Sequence, residues 1–390
     1  MPPHSPHTSR RALLQYTALA AAGLPLAGMA SACASNTAHS APSDRELTIG
    51  YIPIACAAPL ILAHSKGMFE QQGVRVTLKK FAGWADLWSA YATGLLDIAH
   101  MLSPMPLAIN AGATNGTRPT EVLFTQNTNG QAITLASKHA GHVTTAADFR
   151  NKVIGIPFEY SVHALLVRDY LESHGVNTRT EVELRLLRPS DMVAQLRLGG
   201  IDGFVGPEPF NQRAIDSGAG RIFKLTKQLW PGHPCCSVAV SQDWRASHAE
   251  DTAALTRALA DAAEFANNPE HQSEVANILA QEKYLNQPAE LLQPALSGHY
   301  HDWHGKPTVD HERIIFGSPT DSTALTWMAT QIARWNLGGN AITMDDAALI
   351  RLADSVLPAT PPAAGPQPLR SDRIVVNGRE FDPNLPTLGY

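Results

Sequence analysis

The chain of 390 residues is 44% hydrophobic and 17% charged, which is typical of a folded protein long enough to form two lobes with cores of their own. Its formal net charge of -5 argues against a nucleic-acid partner, because no dense run of Lys and Arg is present to meet a phosphate backbone. After the first 32 residues, no apolar segment approaches the length of a membrane span.

The N-terminal segment predicts a signal for export by the twin-arginine route. Arg10 and Arg11 precede a stretch of small and apolar residues over 16–32. The sequence Ala-Ser-Ala at 30–32 fits a cleavage site, while Cys33 directly after it could instead be a lipidated N-terminal cysteine. We therefore expect a signal peptide over 1–32, a tether over 33–45, and a mature chain in the periplasm or anchored through Cys33 at the outer face of the cytoplasmic membrane.

The segment 47–106 predicts a βαβαβ unit. Its apolar periodicity indicates alternating strands and helices over residues 47–52, 59–73, 74–78, 84–95 and 97–101. Strand, helix and strand within about thirty residues indicate a parallel, right-handed crossover. Because ligands bind outside the carboxyl ends of such strands, we expect a cleft lined by residues 53–58, 79–84 and 100–104.

A second unit of similar order follows. Strands are predicted over 152–157, 184–187 and 203–206, with helices over 161–175 and 193–198. Polar, glycine-containing segments near 127–131 and 230–234 precede and follow this unit, so the chain crosses between two lobes twice and forms a hinge. The C-terminal part predicts helices over 249–267, 273–282 and 320–336 and then an extended tail.

Several motifs carry a family resemblance: GYIPIACAAPLILAHSKGMF from Gly50, GWADLWSAYATGLLDIAHMLSPMP from Gly83, NGQAITL from Asn129 and VGPEPFNQ from Val205. They resemble the nitrate- and bicarbonate-binding proteins of ABC transporters, over nearly the whole chain after the leader. The resemblance implies an α/β fold of the type II periplasmic binding protein class, with two lobes joined by two crossing strands and a ligand cleft between them. Lobe I would take residues 46–128 and 237–390, and lobe II residues 129–236.

The same resemblance implies a set of ligand-binding residues. Trp84 and His163 match the family's ligand tryptophan and histidine, and Gln131 beside Gly130 lies at the first crossing. We expect Gly206 and Pro207 to bring backbone to the ligand. Glu208 is expected to accept hydrogen bonds from backbone N–H groups or to orient a neighbour, because a bare carboxylate beside an oxyanion is repulsive. N–H donors of these types suit an oxyanion.

One position departs from the family pattern. Nitrate binders carry a ligand lysine in the helix after the return crossing, and the bicarbonate binder has a glutamate there that holds calcium. Depending on the alignment, this chain has Glu250 or Ala253, and neither supplies a cation. Glu250 could recruit Ca²⁺ for bicarbonate; we favour an ordinary acidic residue in a first helical turn. We expect no cofactor unless the ligand is bicarbonate.

These patterns predict the binding component of an importer, which delivers a small inorganic anion to an ABC permease in the cytoplasmic membrane. Nitrate or nitrite is favoured, with bicarbonate, cyanate and alkanesulfonates as alternatives. An exported enzyme is a competing hypothesis, but the chain has no GxSxG, HExxH, P-loop or GxGxxG motif. A sensor that captures a partner protein is a third, and the leader argues against it.

The remaining cysteines, Cys56, Cys235 and Cys236, show neither CxxC spacing nor the Cys/His spacing of a zinc site. Small buried thiols are the favoured interpretation. A bridge from Cys56 to the second pair stays open in an oxidising compartment.

Overall fold

A computed structural model describes residues 46–113, 118–337, 342–360 and 365–390 of the chain. The predicted signal peptide, the tether and Cys33 lie outside the described residues. Within them the strands are β1 Glu46–Tyr51, β2 Arg75–Lys80, β3 Ile98–Leu102, β4 Thr120–Asn129, β5 Gln131–Ala136, β6 Lys152–Ile156, β7 Val182–Leu186, β8 Gly203–Pro207, β9 Gly220–Leu225, β10 Pro234–Ser241, β11 His299–His301, β12 Pro307–Val309, β13 Ile314–Ser318, β14 Ile374–Val376 and β15 Arg379–Phe381.

The α-helices of the same ranges cover the faces of the sheets. They are α1 Ala58–Ser65, α2 Met68–Gln71, α3 Trp84–Ala92, α4 Met105–Asn110, α5 Val162–Glu172, α6 Pro189–Leu198, α7 Phe210–Asp216, α8 Gln242–Ser247, α9 Ala249–Asn267, α10 Gln272–Ala280, α11 Ala289–Ser297, α12 Ser322–Arg334 and α13 Asp346–Ser355. No helix in the described part of the chain combines the length and the apolar character that a membrane crossing requires.

The first sheet has six strands in the order β13-β4-β10-β3-β1-β2. Strand β1 pairs in parallel with both β2 and β3, which confirms the predicted parallel crossover. Strand β10 runs antiparallel to its neighbours β3 and β4. The carboxyl ends of β1 to β4 and the amino end of β10 therefore lie along one edge of this sheet.

The second sheet has five strands in the order β7-β6-β8-β5-β9. Strand β6 pairs in parallel with β7 and β8, whereas β5 is antiparallel to β8 and β9. Its edge thus gathers the carboxyl ends of β6 to β9 and the amino end of β5. The chain enters this sheet directly from β4 through Gly130, whose φ of 88° only glycine adopts readily, and leaves it between β9 and β10.

The central strands of the first sheet are buried along their whole length. All ten residues of β4 and all five of β3 are buried, as expected for central strands covered on both faces. The single helix predicted over 59–73 is instead the pair α1 and α2. Gly67, with φ of 67°, separates them, because this left-handed conformation does not continue a helix.

The C-terminal tail is held by a buried carboxylate, although the sequence predicts only an extended segment there. Asp169 of α5 is fully buried and accepts hydrogen bonds from Arg334 of α12, from Asn377 Nδ2 at 2.6 Å and from Arg379. Strands β14 and β15 pair as a hairpin around Asn377. The tail is thus tied to α5 and to α12.

Candidate ligand-binding site

The strand ends of the two sheets face each other and touch. The backbone N–H of Ala55, just after β1, donates to the carbonyl oxygen of Glu208, just after β8, at 2.9 Å. Beside this contact, the half-buried Trp88 of α3 stacks on Tyr160, which follows β6, with ring centroids 5.4 Å apart and planes at 14°. The side chains between the two edges are consequently shielded from water.

Trp84 lies four residues after β2, at the same edge of the first sheet. It is the first residue of α3, which begins after the extended Gly83, and the side chain is 1% exposed. Its indole Nε1 is buried and has no hydrogen-bond partner within the described part of the chain. A buried N–H without a partner costs free energy, so this donor is suited to a ligand.

His163 lies on the other side of the cleft. It is the second residue of α5, a helix capped by Ser161 Oγ, which accepts from the backbone N–H of Ala164 at 3.0 Å. The ring is fully buried, and neither nitrogen has a partner among the described residues. Burial, together with the nearby His233, lowers the pKa of His163 to about 3. The neutral ring therefore offers one donor and one acceptor.

Gln131 is buried at the first crossing, and its side chain already has hydrogen-bond partners. Its Nε2 donates to the carbonyl of Asn129, and its Oε1 accepts from Thr226 Oγ1 at 3.3 Å. Thr226 Oγ1 also lies 2.9 Å from Nε2 of the buried His233. The neighbouring Gly130 donates its N–H to the carbonyl of Arg313 at 2.7 Å. Gln131 is thus held in a network that includes His233, a residue the sequence interpretation missed.

Glu208 is an ion-pair partner. Its carboxylate accepts from the Arg313 guanidinium, and both side chains are 1% exposed. The same carboxylate accepts from Asn211 Nδ2 at 3.2 Å and from the backbone N–H of Gln212 at 3.2 Å. The role expected from the sequence, hydrogen bonding to backbone N–H, agrees with this geometry. Because Arg313 neutralises it, Glu208 can lie beside an anion at little electrostatic cost.

Gly206 and Pro207 are the last two residues of β8 and pair with Ala132 and Gln131 of β5. The Gly206 carbonyl accepts from Asn211 Nδ2 at 2.8 Å. A Cβ at Gly206 would lie 2.9 Å from Phe204 Cδ2, so the lack of a side chain is required by packing.

Glu250 does not lie with the other predicted residues. Strand β10 begins at the cleft edge, where Pro234 pairs with Thr128, and ends at the opposite edge, where the N–H of Ser241 donates to Asp97. Eight strand residues span about 26 Å, and Glu250 follows beyond them, exposed in the first turn of α9. The resemblance-based placement of Glu250 in the cleft is therefore corrected, because the return strand carries the chain away from it.

The cysteines form a cluster that sequence spacing did not reveal. Cys56 Sγ lies 3.9 Å from Cys235 Sγ, which lies 3.5 Å from Cys236 Sγ, and all three are fully buried free thiols. The neighbouring thiols of Cys235 and Cys236 lower the pKa of Cys56, whereas burial raises the pKa of Cys235 and Cys236. The bridge left open from the sequence is absent from these residues. The sequence alone does not show this proximity, because Cys56 and Cys235 meet at one sheet edge only through the antiparallel pairing of β10.

The two sheets, their two crossings and the buried cleft are the fold of the periplasmic binding proteins. The crystal structure of the periplasmic nitrate-binding protein NrtA from Synechocystis PCC 6803 superimposes with a TM-score of 0.76 at 24% identity, covering 89% of this chain and 97% of that one. The model of the NMT1-like family matches residues 40–280. The chain belongs to this family.

Two proteins of known role are similar to this chain in sequence. The nitrate/nitrite binding protein NrtA of Nostoc sp. (strain PCC 7120) is 28% identical over 440 residues, covering 97% of each chain. The bicarbonate transport ATP-binding protein CmpC of Synechocystis sp. is 32% identical over 310 residues, which cover 74% of this chain and 46% of the relative. The chain thus spans about half the length of the ATP-binding transport proteins that it matches.

Proposed function

We propose that the chain is the substrate-binding component of an ABC importer, which captures a small anion in the cleft and delivers it to a permease in the cytoplasmic membrane. Nitrate or nitrite is the favoured ligand. The likeness to nitrate/nitrite binding proteins along nearly the full length supports this, and the same relatives support a periplasmic location and a binding protein rather than an enzyme. Export by the twin-arginine route is part of the proposal, followed either by cleavage and release into the periplasm or by anchoring through Cys33.

The observation that carries the proposal is the presence of buried donors without partners on both sides of the cleft. Trp84 Nε1 belongs to the first sheet's side and the His163 ring to the second's, and neither finds a hydrogen bond within the described ranges. Polar groups buried in this way normally have partners. A small anion between them would accept from both lobes and would favour the arrangement in which the lobes touch.

Bicarbonate is the second candidate, supported by the likeness to bicarbonate transport proteins. Ca²⁺ belongs to this second candidate only. Calcium takes six to eight oxygen ligands. Over the described residues the only group of three or more His, Cys, Asp or Glu ligand atoms within reach of one ion is the cysteine cluster, which offers sulfur. A Ca²⁺ ion would therefore need most of its oxygen ligands from backbone carbonyls, water and the bicarbonate itself.

Isothermal titration tests the proposal. The purified protein is titrated with nitrate, nitrite, bicarbonate, cyanate and an alkanesulfonate, each with and without Ca²⁺. We expect one nitrate or nitrite per chain, with an affinity that Ca²⁺ does not change. Binding of bicarbonate in place of nitrate would overturn the choice of ligand, and absence of binding with all five anions would overturn the assignment of the cleft to small anions.

A further inference from the structure

Three thiols converge at the cleft edge of the first sheet. The sulfur atoms of Cys56, Cys235 and Cys236 all lie within 4.8 Å of one another, and each residue is fully buried. Cys56 belongs to the short turn after β1, whereas the other two open β10. The cluster therefore joins two segments that are separated by 179 residues in the chain.

A local irregularity of β10 makes this convergence possible. Adjacent residues of a regular strand point to opposite faces, yet Cys235 Sγ and Cys236 Sγ are 3.5 Å apart. The pairing of β10 with β4 shifts register on both sides of Cys236, where this residue lies opposite Asn127. A β-bulge re-aims side chains and is common next to functional sites. Here it brings both sulfur atoms toward Cys56.

The spacing matches a three-coordinate metal ion. Metal–sulfur bonds of about 2.3 Å place three sulfurs around a central ion at the corners of a triangle with sides of roughly 4 Å. The Cys235–Cys236 and Cys56–Cys235 sulfur distances are 3.5 and 3.9 Å, and every sulfur pair lies within 4.8 Å, so the spacing agrees with that value. We propose that Cys56, Cys235 and Cys236 form a three-sulfur site for one thiophilic, monovalent metal ion of the Cu(I) class.

The ligand set favours this class over others. Thiolates select soft ions such as Cu(I) and Zn²⁺, but protein zinc is almost always four-coordinate. In the described ranges no histidine or carboxylate joins the three sulfurs as a fourth ligand. A disulfide would bond only two of the three sulfur atoms. The Sγ–Sγ distances of 3.9 and 3.5 Å also exceed the S–S bond length of about 2.05 Å, so these cysteines are not disulfide-bonded. Three sulfurs without a fourth donor suit Cu(I).

The site borders the anion cleft but does not depend on the identity of the anion. Cys236 pairs with Asn127 of β4, whose Nδ2 donates to the same Asn129 carbonyl that accepts from Gln131. A short series of contacts therefore joins the cluster to a predicted anion ligand. Binding changes no oxidation state: Cu(I) remains Cu(I), and each thiol that coordinates as a thiolate releases its proton to solvent.

Copper competition tests the site. The full chain carrying Cys33→Ser, so that only these three cysteines remain, is reduced, freed of reductant under nitrogen and titrated with Cu(I) held by bicinchoninate. We expect one Cu(I) per chain. Each of Cys56→Ser, Cys235→Ser and Cys236→Ser should weaken binding on the order of 100-fold or more, since the loss of even a group behind a ligand costs roughly 10–100-fold. Ser237→Ala, a small buried change on the same strand, should keep the affinity.

Two further measurements distinguish loss of the copper site from loss of folding. Circular dichroism must show that each serine variant retains the parent's secondary structure, and a variant that does not is replaced by the corresponding Cys→Ala. X-ray absorption of the copper-loaded protein should show three sulfur neighbours. Zero stoichiometry, undiminished binding in folded variants, or a disulfide among the three cysteines of the protein isolated without reductant would overturn the proposal. Nitrate titration of the same samples reports separately on the anion site.

Discussion

The carboxylate of Glu208 and the guanidinium of Arg313 form an ion pair in which both side chains are only 1% exposed. Glu208 follows β8 of the five-stranded sheet, and Arg313 precedes β13 of the six-stranded sheet. The Arg313 guanidinium also donates to the carbonyl of His299 at 2.9 Å. The pair is thus a buried electrostatic link between the two sheets, adjacent to the predicted anion ligands.

Breaking this link should destabilise the fold. Arg313→Met leaves the Glu208 carboxylate buried without its countercharge, which costs about 3–5 kcal/mol. Arg313→Met combined with Glu208→Gln removes both charges and should recover part of that loss. The free energy of unfolding in urea measures both changes, with Arg373→Met, at an exposed ion pair, as the control. Equal stability of the single variant and the parent would contradict the buried pair.

Trp84→Phe should separate recognition from folding. The ring is 1% exposed, so an alanine there would also leave a cavity, whereas phenylalanine keeps most of the packing and removes only the indole N–H. Losing a hydrogen bond to a charged acceptor costs about 1.5–3 kcal/mol, or roughly 10- to 150-fold in nitrate affinity by titration. The matched control is Trp335→Phe. Trp335 is the C-cap of α12, and its indole N–H donates to Oε1 of Gln331 in the same helix at 3.2 Å. If both variants bound nitrate equally, Trp84 would not be a ligand.

Stability should fall as the pH is lowered below about 6.5. Burial lowers the pKa of His100 to about 3 and that of His233 to about 4 in the folded chain, whereas the unfolded chain titrates near 6.5. The unfolded state then binds more protons between these values, so stability is lost as pH falls through that window. His100→Leu should flatten the dependence of unfolding free energy on pH between 7.5 and 5. His142→Leu, at an exposed position, should keep the parent's slope, and a slope unchanged by His100→Leu would argue against burial of that ring.

Asp169→Asn should loosen the C-terminal tail. The carboxylate is fully buried and is shared by Arg334 and Arg379, so neutralising it leaves two guanidinium groups without their countercharge. We expect faster hydrogen exchange in β14 and β15 and a loss of about 1.5–3 kcal/mol in unfolding free energy, because both guanidinium groups are partly exposed to water. Exchange in the tail that matches the parent's would show that the hairpin is held by other contacts.

Local patterns predicted much of the fold and part of the cleft. The periodicity over 47–101 gave the parallel crossover, and Pro59 marked the start of α1. Gln131 was placed correctly at the crossing because β4 and β5 are separated by a single glycine. Glu250 was misplaced because the direction of β10 depends on sheet pairing, which a single strand does not reveal. The cysteine cluster was missed because a bulge, rather than sequence spacing, brings adjacent side chains together.

The stack of Trp88 on Tyr160 has an optical consequence. The two rings come from segments on opposite sides of the cleft, and Phe158 packs against both, at centroid distances of 5.7 Å. Separation of the two sides would place the Trp88 indole in water and shift its emission to longer wavelength. Each opening of the cleft is therefore coupled to a natural fluorophore, and the rate of capture can be followed in the unlabelled protein.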